Sequence, residues 1–168
     1  MSNSRFKNSK YFRLFIIAGA IIVIDQISKL VVFELMPLYE SLIVIPGFFN
    51  ITHVHNPGGA FGFLAEQSAA LRYFVFLFIS AVAVLLIIYF YHKTPDNYLL
   101  LSCGFALILG GAVGNMIDRI RLGVVIDFLD FYVGNLHWPA FNVADSAITI
   151  GMVIFIYHLL FNKMPAKM

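Results

Sequence analysis

Two aspartates in the second half of the chain are the side chains best suited to do chemistry. Asp127 lies in VVIDF, and Asp145 lies in FNVAD at the start of an apolar run. Two carboxyl groups held close together cannot both ionise, so such a pair offers a base that activates water and an acid that protonates a leaving group. The loop between them leaves one apolar segment and re-enters at the next, which lets the two acids meet. Asp130, in the same DFLD segment, is an alternative partner that the spacing does not exclude.

A serine nucleophile or a metal site has less support in the sequence. Ser146 needs a histidine from a distant loop to complete a Ser-His-Asp arrangement. His53, His55 and His137 do not follow the ligand spacing of a known metal motif, so hydrogen bonds to backbone are the better interpretation of these histidines. We therefore expect no metal, no other cofactor and no covalent intermediate.

The composition indicates that these residues belong to a membrane protein. The chain is 61% hydrophobic and 12% charged, whereas soluble proteins have about 25% charged residues. Three uncharged runs, 73–91, 97–117 and 146–162, each approach the ~20 residues that cross hydrocarbon. A fourth run, 12–33, is long enough but carries three charged residues. We predict an integral membrane α-helical fold, a single membrane domain over residues 1–168 with helices at about 12–33, 73–91, 97–117 and 142–162.

The flanking charges predict how the helices are oriented. A basic tail precedes the first run, and AGA at 18–20 resembles the cleavage site of a signal peptide, but the apolar run continues past it, so we expect an uncleaved span. Lys and Arg are concentrated in the two tails and the 92–98 loop. Because positive charges favour the cytoplasmic side, both termini are expected in the cytoplasm and the loops at about 34–70 and 118–141 outside.

The two outer loops have different compositions. The first is rich in β-branched and aromatic residues and is interrupted by Pro46-Gly47 and Pro57-Gly58-Gly59, a pattern that predicts a small β element. The second mixes apolar and acidic residues, and we expect an amphiphilic segment along the interface with Phe131, Tyr132 and Trp138 at headgroup depth. No nucleotide-binding glycine motif is present, and no nucleic acid partner is expected.

Polar residues converge at the outer ends of the predicted spans. Asp25 and Lys29 share one face of the first span and can satisfy each other. A transporter or lipid-binding subunit would instead place ionisable groups near mid-bilayer on both halves of a pathway, so the clustering favours an enzyme. Asn56 is either a turn residue or a contact to the substrate backbone or oxyanion. The other members of the cluster are Asn115, Asp118, Arg119 and Asn142, with Arg119 expected to pair with Asp118 or to orient the loop that carries Asp127.

Five ordered motifs resemble the bacterial lipoprotein signal peptidases, also called signal peptidase II. They are DQISK at 25–29, NPGGAF at 56–61, GGAVGNMIDR at 110–119, VVIDF at 124–128 and FNVAD at 141–145, and the resemblance extends from about residue 12 to 160. Many members have Asn-Thr-Gly-Ala-Ala-Phe where this chain has NPGGAF, which predicts a turn that is stiffer at Pro57 and looser at Gly59.

The resemblance implies an intramembrane aspartic endopeptidase of the bacterial inner membrane, with its active site near the outer leaflet. Such an enzyme removes the signal peptide of a prolipoprotein on the amino side of a cysteine that carries diacylglycerol, and it is inhibited by cyclic peptide antibiotics of the globomycin type. Its partners are therefore the lipidated prolipoprotein and membrane lipids. By motif, the catalytic aspartates are Asp127 and Asp145, and the supporting residues are Asn56, Asn115, Arg119, Asn142, Asp25, Lys29 and Asp118.

Asp145 also occupies a position typical of helix capping. With Asn142 as N-cap, Asp145 is the acid three residues later in a capping box, where the helix dipole favours a negative charge. We therefore predict that Asp127 is the member of the pair that keeps the shared proton. The amphiphilic loop after the third span is expected to act as a lid over the pair.

Overall fold

Four long apolar helices form most of the protein, as the sequence predicts. The computed structural model describes residues 3–58, 67–161 and 163–165. In the described part of the chain, four helical segments of 18 to 26 residues are long and apolar enough to cross a membrane. The helices are α1 (Asn3–Leu35), α2 (Ala69–Lys93), α3 (Leu99–Leu122) and α4 (Val143–Leu160).

Helix α3 continues past its predicted end at residue 117. It stops where Gly123 adopts a left-handed conformation, with φ of 74°, and its N–H donates to the carbonyl of Arg119. Glycine takes this conformation without steric cost and commonly ends helices. Asp118 and Arg119 are therefore helical residues, and their directions are set by α3.

Helix α3 lies at the centre of the bundle and contacts each of the other three helices. The glycines of GGAVG make this possible, as their spacing predicts. A Cβ added at Gly111 would collide with the carbonyl oxygen of Ala144 in α4, and one added at Gly114 would lie 2.6 Å from a carboxyl oxygen of Asp25 in α1. The close approach of the helices thus brings the polar residues of α1, α3 and α4 together.

The two outer loops form one antiparallel sheet rather than two separate elements. Its strands are β1 (Ser41–Ile45), β2 (Phe49–Asn56), β3 (Val125–Val133) and β4 (Leu136–His137), in the order β1-β2-β3-β4. The β element expected in the first loop is confirmed. The second loop, expected as an amphiphilic interfacial segment, supplies β3 and β4.

The burial of β3 explains why an amphiphilic surface segment is the wrong description of its first half. Residues 125–128 are all buried, as in a strand covered on both faces. Ile126 and Phe128 pack with Val32 of α1. Such a strand reads as a nearly continuous apolar run, which periodicity alone cannot distinguish from other apolar segments. The sheet is thereby fixed to the C-terminal end of α1, and β3 also contacts α3.

Candidate active site

Asp127 and Asp145 reach one site from different elements. Asp127 is a buried residue of β3, and Asp145 is a half-buried residue in the first turn of α4. Asn142, which is fully buried, lies between them as the N-cap of α4. The convergence predicted for the two aspartates is therefore present.

Asn142 holds both carboxyl groups. Its side-chain Nδ2 donates to Oδ1 of Asp127 at 2.7 Å, while its backbone N–H donates to Oδ2 of Asp145 at 3.3 Å. Its Oδ1 accepts from the backbone N–H of Asp145 at 2.9 Å. The last two contacts form the predicted capping box. One residue thus caps a helix with its side-chain oxygen and contacts both carboxyl groups, one through its side-chain amide and the other through its backbone N–H.

Two more asparagines complete the contacts of the acids. Asn56 donates from Nδ2 to Oδ2 of Asp127 at 3.0 Å, and Asn115 donates from Nδ2 to Oδ1 of Asp145 at 2.7 Å. Asn56 also accepts from the backbone N–H of Gly58, so it is both a turn residue and a partner of Asp127. These amides orient the carboxyl groups without supplying a full positive charge. Positions 59–61 of NPGGAF lie outside the described residues, so the expected looseness at Gly59 does too.

The surroundings of Asp127 favour its protonated form. Burial raises the pKa of Asp127 to about 7, and the negative charge of Asp145 acts in the same direction. The hydrogen bonds from Asn56 and Asn142 and the charge of Lys29 oppose this rise in pKa without cancelling it. A carboxyl group with such a pKa can hold a proton at neutral pH and release it during a reaction.

A buried charged cluster lies beneath the acids. Nζ of Lys29 is 2.8 Å from Oδ2 of Asp25 and 2.8 Å from Oδ2 of Asp118. The expected pairing of Asp25 with Lys29 is confirmed, and Asp118 joins it. Lys29 also donates to Oδ1 of Asn115 at 2.8 Å, while Asp25 accepts from the backbone N–H of Ala144 in α4. The cluster therefore connects α1 and α3 to the first turn of α4 and to a partner of Asp145.

Gln26 is a member of this cluster that the sequence analysis missed. Its Nε2 donates to Oδ1 of Asp118 at 2.8 Å and to the carbonyl of Gly114 at 3.2 Å. The available signal was its position, since it is a polar residue inside an apolar span and directly follows Asp25.

Among the described residues, Arg119 and its neighbour Asp118 do not form a salt bridge, although the charge of Asp118 acts on Arg119. Adjacent helical residues do not face each other, and Asp118 is the partner of Lys29. The guanidinium of Arg119 donates to the carbonyl of Asn115 at 3.2 Å, and Asp145 is its strongest electrostatic partner. Arg119 thus adds positive potential on the Asp145 side of the site.

The alternative groups have other partners. Asp130 accepts from Asn50 at 2.9 Å and contacts Nδ1 of His137 at 2.8 Å. The hydroxyl of Ser146 donates to the carbonyl of Asn142 at 2.9 Å, and Nδ1 of His53 bonds to the carbonyl of Met36. In the part of the chain that the structure describes, no group of three or more His, Cys, Asp or Glu side chains is arranged to hold a metal ion.

A groove of about 550 Å³ opens beside Asp145. Trp138 at its rim is 69% exposed, which suits a residue at a membrane interface. Apart from Asp145, the lining is mostly apolar, so the groove can receive an extended peptide or hydrocarbon next to the acids. Its lining residues are Trp138, Pro139, Ala140, Phe141, Asp145, Ser146, Thr149 and Ile150.

Known proteins resemble this chain over most of its length. A family model described as signal peptidase II matches residues 17–161. The lipoprotein signal peptidase of Desulforapulum autotrophicum is 56% identical over 91% of this chain and 94% of its own, and that of Syntrophus aciditrophicus is 47% identical over 88% and 92%. A bacterial membrane enzyme solved by the in meso method superposes with a TM-score of 0.79 at 33% identity, covering 89% of this chain and 88% of the solved one.

Proposed function

Because the chain belongs to the signal peptidase II family, we propose that it removes the signal peptides of bacterial prolipoproteins as an aspartic endopeptidase. Asp127 and Asp145 are the catalytic residues in this proposal. The observation that carries it is the position of Asn142, a buried residue that donates to the carboxyl group of Asp127 through its side-chain amide and to that of Asp145 through its backbone N–H.

The proposed reaction needs one water and one shared proton. Asp145 accepts a proton from the water as its oxygen attacks the carbonyl carbon on the amino side of the lipidated cysteine. Asp127, which keeps the shared proton, donates it to the departing nitrogen as the C–N bond breaks. The pKa of about 7 at Asp127, raised by burial, supports this division of roles.

The asparagines and the buried cluster act as positioning residues. Asn56 and Asn115 each hold one carboxyl group, and the oxygen of Asn115 is itself held by Lys29. Asp25 fixes the first turn of α4 through the N–H of Ala144. Residues held from two or three sides need little rearrangement during the reaction, which is how a site stabilises developing charge. Arg119 supplies positive potential near Asp145.

The substrate is proposed to be a prolipoprotein whose cysteine carries diacylglycerol. Its scissile segment occupies the groove beside Asp145, the acyl chains stay in lipid, and the signal helix lies against the bundle. The apolar lining and the exposed Trp138 support this arrangement.

We place the protein in the bacterial inner membrane with cytoplasmic termini and the site near the outer leaflet, because of the distribution of Lys and Arg. Inhibition by globomycin-type peptides is part of the same proposal.

Cleavage of a lipidated prolipoprotein peptide by the purified protein tests the proposal. Wild type, Asp127→Asn and Asp145→Asn are compared in the same detergent, with thermal unfolding as a control for folding. Both variants are expected to stay folded and lose cleavage. Cleavage that persists in either folded variant would show that the two acids do not form the catalytic pair.

A further inference from the structure

Two histidines on β2 form a pair that the proposed reaction does not use. His53 and His55 are two positions apart on one strand, so their side chains emerge on the same face. Their Nε2 atoms are 3.1 Å apart. Phe33 of α1 stacks on the His55 ring and lies edge-on to the His53 ring. The two imidazoles are therefore held against each other at the outer end of α1.

The contacts of His53 determine which of its nitrogens carries the proton. Its Nδ1 is 2.8 Å from the carbonyl oxygen of Met36, and because that oxygen can only accept, Nδ1 must donate. In the neutral ring, Nε2 of His53 then has the free lone pair and faces His55. A backbone carbonyl that binds one imidazole nitrogen and leaves the other free is the arrangement that orients metal-binding histidines.

The backbone around His53 is held as well. A register shift between Ile51 and Val54 forms a bulge in β2 that includes His53. Its N–H donates to the carbonyl of Glu40 at 3.0 Å, and its carbonyl accepts from Tyr39 at 2.8 Å. One hydrogen bond to its ring and two to its backbone thus position His53 before any ligand binds.

The separation of the two nitrogens fits a single metal ion. Metal–imidazole distances are about 2.0–2.1 Å, so two nitrogens on one ion at angles between square and tetrahedral are roughly 2.8–3.4 Å apart. The observed 3.1 Å lies within this interval. We propose that His53 and His55 bind one divalent late transition-metal ion, of the Zn²⁺ or Cu²⁺ type, through both Nε2 atoms, with water as the remaining ligands.

Binding requires one proton to move. In the neutral, metal-free pair, His55 donates its Nε2 proton to His53, and in the metal-bound pair His55 carries its proton on Nδ1 instead. Imidazole ligands favour Zn²⁺ and Cu²⁺ over Mg²⁺ and Ca²⁺, which prefer oxygen.

The test is a metal titration of the full-length protein purified without a polyhistidine tag. Cu²⁺ is added to wild type, His55→Gln and His137→Gln, with electron paramagnetic resonance to count coordinated nitrogens. His137 is the matched control because it lies on the same sheet and is held by Asp130. Wild type and His137→Gln are expected to bind one equivalent with two nitrogens, and His55→Gln to lose this binding.

A second readout uses Zn²⁺ and does not depend on copper chemistry. Ligands that bind the folded state raise its Tm by mass action. Zn²⁺ is expected to raise the Tm of wild type and His137→Gln but not of His55→Gln, while cleavage without metal stays unchanged in His55→Gln. Wild-type copper spectra that show fewer than two nitrogens, or unchanged binding in His55→Gln, would overturn the proposal. The number of coordinated nitrogens in the wild-type copper spectrum tests the proposal even if a variant fails to fold.

Discussion

Asp127 and Asp130 lie three residues apart on one strand and have different chemical surroundings. Both are buried, at 2% and 7% exposure. Asp127 meets the amides of Asn56 and Asn142 and the charge of Asp145, whereas Asp130 meets Asn50 and a half-exposed His137. Burial alone therefore does not distinguish the carboxyl group that we propose as catalytic from the other one; the groups that contact each of them do.

The largest expected effect separates these two acids directly. Asp127→Asn is expected to lower the cleavage rate by about 10²–10⁴-fold, the usual contribution of a positioned acid or base. Asp130→Asn keeps the shape of the side chain and should retain a rate near that of wild type. Initial rates on a lipidated peptide measure both. Equal losses in the two variants would mean that the different partners of the two acids do not give them different roles.

The next effect concerns the buried cluster of Lys29, Asp25 and Asp118. Lys29→Met leaves Asp25 and Asp118 buried without their cation, which is expected to lower the free energy of unfolding by roughly 3–5 kcal/mol. Lys93→Met removes an exposed lysine and serves as the control. Thermal unfolding in detergent measures the loss.

A double variant tests the cause of that loss. Lys29→Met with Asp118→Asn removes one of the stranded charges and should recover part of the stability. If the double variant is no more stable than Lys29→Met alone, the loss is due to packing rather than to charge.

A smaller effect separates the two roles of Asn142. Asn142→Ala removes the cap and the bridge, and the loss of a cap alone costs about 0.5–2 kcal/mol. Asn142→Ser keeps an oxygen that can cap α4 but has no amide to donate to Asp127. We expect Ser to restore stability but not cleavage, as measured by unfolding and by initial rates. Recovery of cleavage in Asn142→Ser would show that the bridge to Asp127 is dispensable.

The smallest effect is a shift along the pH axis. The pKa of Asp127 is raised to about 7, chiefly by burial, so the shared proton is lost and cleavage falls as the pH rises through that value. Because the hydrogen bond from Asn56 lowers this pKa, Asn56→Ala should move the alkaline limit of cleavage upward by about half to one pH unit. A pH–rate profile measures the shift, and a downward shift would contradict this role of Asn56.

The same raised pKa has a consequence for stability. Folding favours the protonated form of Asp127, so its contribution becomes unfavourable as the pH rises from the usual value of 3.8 towards 7. The free energy of unfolding of wild type minus that of Asp127→Asn should therefore decrease over this interval, whereas the same difference for Asp130→Asn provides the reference.

Local spacing was sufficient to predict the helices and several contacts. Three uncharged runs and a fourth that carries three charged residues predicted four spans, and the i,i+4 spacing of Asp25 and Lys29 predicted their ion pair. The FNVAD motif predicted the capping box of Asn142 and Asp145. These features depend on residues that are close in the chain, whose geometry the helix determines.

Contacts between distant segments were not predictable in the same way. Nothing in the sequence near residue 125 indicates that β3 pairs with β2, and this pairing gives Asp127 its contact with Asn56. Spacing left the choice between Asp127 and Asp130 open because the sequence did not predict strand β3, and so did not show which groups each acid would contact. Gln26 was missed for a similar reason, since its partners Asp118 and Gly114 belong to another helix.

The capping box makes the first turn of α4 a part of the proposed active site as well as a part of the fold. Asn142 cannot leave its capping position without releasing a carboxyl oxygen of Asp127 and the backbone of Asp145. Fraying of this turn and loss of the geometry proposed for catalysis are consequently one event. Slow hydrogen exchange at the Asp145 amide would then report how often the intact protein is momentarily incapable of catalysis, with no substrate present.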